Sequence, residues 1–150
     1  MKEHIEILLV DDNPSDVELT LHALRRYKVA NRVQIARDGS EALEYFFGSE
    51  PGAGQPKNVP PKVILLDLKL PKVDGLEVLR KLKTSELTQA IPVVVLTTSR
   101  EEKDIVESYH LGVNSYIVKP VDFEQFAEAV RQLGLYWLLL NEPPKPGSSP

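Results

Sequence analysis

The chain has 150 residues, 18 Lys+Arg against 22 Asp+Glu, no Cys and 12 Pro. This length suits one domain that buries roughly 70% of its unfolded surface, and 42% hydrophobic with 27% charged residues excludes wholesale disorder. A formal net charge of −4 speaks against a protein that grips nucleic acid through its phosphates, and the lack of Cys removes disulfides, thiolate metal sites and cysteine nucleophiles.

The N-terminus, MKEHIEILLVDD, carries two Glu before a four-residue apolar run, which is no signal peptide. The first strand is expected over Ile5–Val10. Asn13-Pro14 then opens a helix, with Asn as N-cap and Pro at the first helical position, and Val17, Leu21 and Leu24 facing inward. A second strand at Arg32–Ala36 leads to a helix carrying Ala42, Leu43, Phe46 and Phe47. The stretch from about 48 to 61, GSEPGAGQPKNVPP, reads as a long loop. Strand three is Val63–Leu66, followed by a helix packing Leu76, Leu79 and Leu82. Strand four is Val93–Leu96; a weaker helix with Ile105, Val106 and Tyr109 follows and ends at Gly112. The charges Arg100, Glu101, Glu102, Lys103 and Asp104 at its start read as a solvated face. Strand five, Ser115–Val118, precedes a helix that starts at Asp122 and uses Phe123, Phe126, Ala127, Val130 and Leu133. Residues 141–150 are a Pro-rich tail too polar to fold, so the expected domain is 1–140. The longest apolar run, Leu135 to Leu140, is six residues, against the roughly 20 a bilayer requires. A cytoplasmic protein with no membrane span is expected.

Five strands alternating with five helices predict a doubly wound α/β domain. Runs this apolar suit a parallel sheet covered on both faces. In such sheets ligands collect at the carboxyl ends of the strands. Strand one ends in Asp11-Asp12, strand three in Asp67, strand four in Thr97-Thr98-Ser99 and strand five in Lys119-Pro120. With a strand order of 2-1-3-4-5, strands one and three are neighbours, and three carboxylates converge. Converging like charges raise a pKa or bind a cation. An all-oxygen ligand set of few carboxylates selects a hard cation and favours Mg²⁺ over Ca²⁺. Lys119 offsets a further charge and Thr97 supplies a hydroxyl, which makes a pocket suited to a metal-bridged phosphoryl group. Each element alone has a plainer reading as a helix cap, a turn or a loop. His4, His22 and His110 are scattered without a second ligand at metal spacing.

Taken in order, LLVDDNPSD, VILLDLKLPKVDG, IPVVVLTTS and NSYIVKP resemble the receiver domain of two-component response regulators, over roughly Ile5 to Leu140. The resemblance implies a flavodoxin-like fold with a five-stranded parallel sheet and five helices. It implies Asp67 as phospho-acceptor, with Asp12 and Asp67 ligating Mg²⁺ directly, Asp11 acting mainly through water and Lys69 contributing its backbone carbonyl. Thr97 and Lys119 would contact the phosphoryl oxygens, and Tyr116 would be the aromatic that changes rotamer with Thr97 on activation. Lys69 and Ser99, two beyond Asp67 and Thr97, occupy positions that tune phosphoryl lifetime in that family. The partner implied is a histidine kinase, and no turnover enzyme is expected. With no recognition helix and no basic patch, output is expected through a downstream protein target rather than nucleic acid.

The run LGLYWLLL exceeds the single apolar stripe of a surface helix. Tyr136 and Trp137 are therefore candidates for a partner or homodimer patch on the face of helix four, strand five and helix five; deep docking is the alternative. The long loop, the single-domain layout and QLGLYWLLLNEPP resemble the small regulators paired with cyanobacterial and bacterial phytochromes, which implies a light-regulated kinase as partner. Three rival readings stand beside this one. An aspartyl-nucleophile phosphohydrolase expects a second acid where Lys69 stands, and an FMN carrier is opposed by the charge of Asp11-Asp12. A phosphorylation-independent adaptor would keep the pocket only as a relic.

Overall fold

Apolar β-branched runs extend, and the segments with apolar residues at helical spacing coil against them. A computed structural model describes residues 6–25, 32–48 and 60–119, together with 124, 125 and 128. The elements are β1 (Ile7–Val10), α1 (Pro14–Arg25), β2 (Val33–Ala36), α2 (Gly39–Phe47), β3 (Val63–Leu66), α3 (Gly75–Thr84), β4 (Val93–Thr97), α4 (Glu102–His110) and β5 (Ser115–Val118). All strand pairs are parallel, in the order β2-β1-β3-β4-β5. This is the predicted order. In it Val10 lies level with both Ala36 and Leu66, so the residues that follow β1 and β3 emerge side by side.

The three inner strands are buried along their whole length, because helices cover both faces of a parallel sheet. Successive residues serve opposite faces. Leu8, Val10, Ile64, Leu66, Val93 and Val95 pack with Ala42 and Phe46 of α2 and with Val78, Leu79 and Leu82 of α3. Ile7, Leu9, Val63, Leu65, Val94 and Leu96 pack with Val17 and Leu24 of α1. Each such large side chain contributes about 1.5–3 kcal/mol through burial.

Several boundaries differ from expectation. β1 starts at Ile7, with Ile5 outside the described residues; β2 starts at Val33 and β4 takes in Thr97. In α3 the inward face is Val78, Leu79 and Leu82, with Leu76 only half-buried. Helix α4 departs most from its expected face. Val106 is 59% and Tyr109 50% exposed, whereas Asp104 and Ser108 are buried, and the helix stops at His110 rather than Gly112. The predicted apolar stripe faces outward instead, and on the inner side Asp104 accepts a hydrogen bond from the Ser99 hydroxyl. The charge run is therefore not wholly solvated.

Glu124, Gln125 and Glu128 are helical. The rest of the predicted fifth helix, the Tyr136 and Trp137 patch, most of the loop at about 48–61 and the tail 141–150 lie outside the described residues. Among the described residues, no helix is long and apolar enough to cross a membrane.

Candidate functional site

Backbone bonds carry the sheet pattern one residue past each strand and so fix the first acids. The Asp11 N–H donates to the Ala36 carbonyl at 3.0 Å, and the Asp67 N–H to the Val10 carbonyl at 2.9 Å. Similarly, the Lys119 N–H donates to the Thr97 carbonyl at 2.8 Å. The chain then turns. Asn13 caps α1, its Oδ1 accepting from Ser15 and Asp16 N–H at 2.9 and 3.1 Å, with Pro14 as first helical residue as predicted. On the other side, Gly75 brings α3 against the end of β3. A Cβ at that position would stand 2.4 Å from both the Asp67 carbonyl oxygen and the Leu68 Cα, so only glycine permits the approach.

Asp11 and Asp67 are buried and Asp12 is exposed at the mouth. One oxygen from each of these three carboxylates lies within 4.8 Å of the others. The Lys119 ammonium, itself buried, donates to Asp11 Oδ2 at 2.6 Å, Asp67 Oδ2 at 2.9 Å and Asp16 Oδ2 at 3.0 Å. Its three N–H groups match three acceptors. Burial works against the charged ammonium, but the bonds to Asp11, Asp67 and Asp16 outweigh it and hold the pKa above that of an ordinary lysine. Burial pushes the Asp11 carboxyl up, partly countered by the bonds from Lys119 and from the Asn13 N–H. The other Asp67 oxygen accepts from the Lys69 N–H at 3.1 Å.

Asp11, Asp12, Asp67 and Lys119 thus meet at one point. Thr97 is buried at the end of β4, but its hydroxyl faces the next loop and accepts from the Ser99 N–H at 3.4 Å. Tyr116 is half-buried and donates its hydroxyl to the Ser99 carbonyl at 3.0 Å. Thr97 and Tyr116 therefore share Ser99 as a neighbour. Lys69 extends its ammonium to 3.9 Å from Asp104.

Sequence reasoning missed Asp16 and Asp104. Asp16 had an available signal. With Pro14 first in the helix, it is the third residue, whose side chain leans back toward the helix N-terminus and the strand end. Asp104 is likewise third in its helix, but it stood unmarked as one acid in a run of charges.

The donor set is carboxylate oxygen throughout, with no nitrogen or sulfur ligand, which suits a hard divalent cation. Four carboxylates against one ammonium leave an excess of three negative charges for a cation to reduce.

The family description "Response regulator receiver domain" matches residues 7–131. A solved structure of the bacteriophytochrome response regulator AtBRR is 55% identical, with a TM-score of 0.77 over 94% of this chain and 100% of that one. The phosphorylated cyanobacterial phytochrome response regulator RcpA is 40% identical, with a TM-score of 0.73 over 95% of this chain and 100% of that one. Response regulator Rcp1 of Synechocystis sp. is 39% identical over 133 residues, covering 88% of each chain. Its Mn²⁺-bound structure superposes with a TM-score of 0.70 at 37% identity over 93% of this chain and 98% of that one.

Proposed function

The chain belongs to the response regulator receiver domain family, and we propose that it is a signalling protein that accepts a phosphoryl group on Asp67 from a partner histidine kinase. One observation carries this reading. Asp67, at a strand end beside Asp11 and Asp12, receives a 2.9 Å bond from the buried Lys119 ammonium. A carboxylate in that position is both a nucleophile and one arm of a cation site.

In the transfer, a carboxylate oxygen of Asp67 attacks phosphorus in line as the bond from phosphorus to the kinase imidazole nitrogen breaks. The bonding pair leaves with the imidazole. Lys119 neutralises charge on the phosphoryl oxygens, and the Lys69 N–H holds the second Asp67 oxygen at 3.1 Å, fixing the plane of the carboxylate. Asp11, Asp12 and Asp67, with the Lys69 carbonyl, would hold Mg²⁺, which supplies further charge neutralisation when bound. Thr97 would turn from Ser99 toward the phosphoryl oxygens, and Tyr116 would follow, changing the face around α4 and β5 that a downstream protein reads. The product is a changed binding state, so the protein is not a turnover enzyme. Its likeness to AtBRR and RcpA supports a phytochrome-type kinase as the partner. Homodimerisation through the α4 and β5 face with Tyr136 and Trp137 belongs to the same proposal.

The test is incorporation of phosphate from acetyl phosphate in the presence of Mg²⁺. Wild type takes up close to one phosphate per chain and Asp67→Asn none; undiminished uptake by Asp67→Asn refutes the assignment.

A further inference from the structure

Asp104 lies in the first turn of α4 with its carboxylate buried, an expensive place for a charge unless it is bonded. Its Oδ2 accepts the Ser99 hydroxyl at 2.5 Å and stands 3.9 Å from the Lys69 ammonium. These two partners come from the loops that follow Thr97 and Asp67. Ser99 is also the residue whose N–H bonds Thr97 Oγ1 at 3.4 Å and whose carbonyl takes the Tyr116 hydroxyl at 3.0 Å. One buried carboxylate therefore ties together both loops that border Asp67. Packing alone does not account for it, since an apolar side chain would fill an inward helix position at lower cost.

We propose that Asp104 is a positioning residue for the phosphoryl chemistry of Asp67: by holding the Lys69 ammonium and the Ser99 hydroxyl, it keeps the approach to Asp67 open and shortens the life of the acyl phosphate. The inference rests on Asp67 being the acceptor. In the loss of phosphate, a water oxygen attacks phosphorus and the bond from phosphorus to the Asp67 oxygen breaks. The electron pair returns to the Asp67 carboxylate, and the water proton leaves with inorganic phosphate or solvent. An ammonium freed from Asp104 would settle on the phosphoryl oxygens, stabilise the acyl phosphate and crowd the entering water.

The experiment follows the decay of the acyl phosphate after loading with acetyl phosphate. Asp104→Asn keeps an acceptor for Ser99 while removing the charge that holds Lys69. The half-life should lengthen about two- to fivefold, the range that a partly exposed ion pair commands. In a Lys69→Met background the same substitution should leave the half-life unchanged, which a merely structural role for Asp104 would not predict. Lys69→Met alone supplies the reference half-life for that background. Equal half-lives for wild type and Asp104→Asn overturn the proposal, as does an undiminished effect in the Lys69→Met background. A several-fold shortening in Lys69→Met alone also overturns it, because the ammonium would then already sit on the phosphoryl group. If wild type takes up no phosphate, the Asp67 reading itself falls; uptake with unmoved half-lives sinks only the role of Asp104.

Discussion

Replacing Lys119 with Met tests the electrostatics of the site without any phosphoryl donor. The ammonium meets carboxylate oxygens at 2.6, 2.9 and 3.0 Å. Each contact has a gross Coulomb energy of about 6 kcal/mol at an effective dielectric constant of about 20. Desolvation of the buried groups cancels much of this. The net cost of removing one partner from a buried ion pair is about 3–5 kcal/mol, because the acids are left uncompensated. Asp16 is the most exposed of the three acids, and Lys119 keeps two partners without it, so Asp16→Asn should cost only about 1 kcal/mol. Urea denaturation followed by far-ultraviolet circular dichroism, with EDTA and then with MgCl₂, reads both effects. In EDTA, Lys119→Met should lose about 3–5 kcal/mol and Asp16→Asn about 1. Saturating Mg²⁺ should then raise the stability of Lys119→Met more than that of wild type, since a cation meets three acids with no competing ammonium. At a hundredfold excess over its dissociation constant, a ligand contributes about 2.7 kcal/mol. The reasoning fails if Lys119→Met loses less than about 1 kcal/mol in EDTA, or if Mg²⁺ stabilises it less than wild type.

Two further outcomes follow from the same geometry. Gly75→Ala would place a Cβ 2.4 Å from backbone atoms of Asp67 and Leu68, so α3 must shift; the net loss should be about 1–3 kcal/mol by thermal denaturation, and an unchanged melting temperature would contradict the close approach. Folding raises the Lys119 pKa, so its stabilisation is full below the unfolded value of about 10.4 and drains as pH rises from there through the raised native value. The stability difference between wild type and Lys119→Met should therefore shrink by about 1 kcal/mol between about pH 9 and 11, and a constant difference would refute the raised pKa.

The acids of the site were legible because strand ends in a parallel sheet are a place the sequence marks. Apolar runs stop at Asp11, Asp67 and Lys119, and the order 2-1-3-4-5, which the resemblance implied, brings those strand ends together. Asp16 escaped because an acid in the first turn of a helix already has a sufficient explanation in the helix dipole. Asp104 escaped because Glu101, Glu102, Lys103 and Asp104 form one run of charges, and nothing in the string shows that Asp104 turns inward to the Ser99 hydroxyl. The same helix leaves Val106 and Tyr109 facing solvent despite their apolar character. Side-chain pairs across loops carry no periodic signal. They are visible only once the backbone has set the distances.

The site divides into a fixed part and an adjustable part. Asp11, Asp67 and Lys119 are pinned by backbone bonds to Ala36, Val10 and Thr97, so their carboxylates and ammonium stand on the sheet itself and can be aimed with little reorganisation. Ser99, Lys69 and Asp104 are held instead by side-chain contacts, and two of them belong to loops. A phosphoryl group that replaces the single charge of Asp67 with about two changes the balance those contacts rest on, while the sheet bonds are indifferent to it. Any response to a phosphoryl group would therefore fall on the side-chain contacts among Ser99, Lys69 and Asp104.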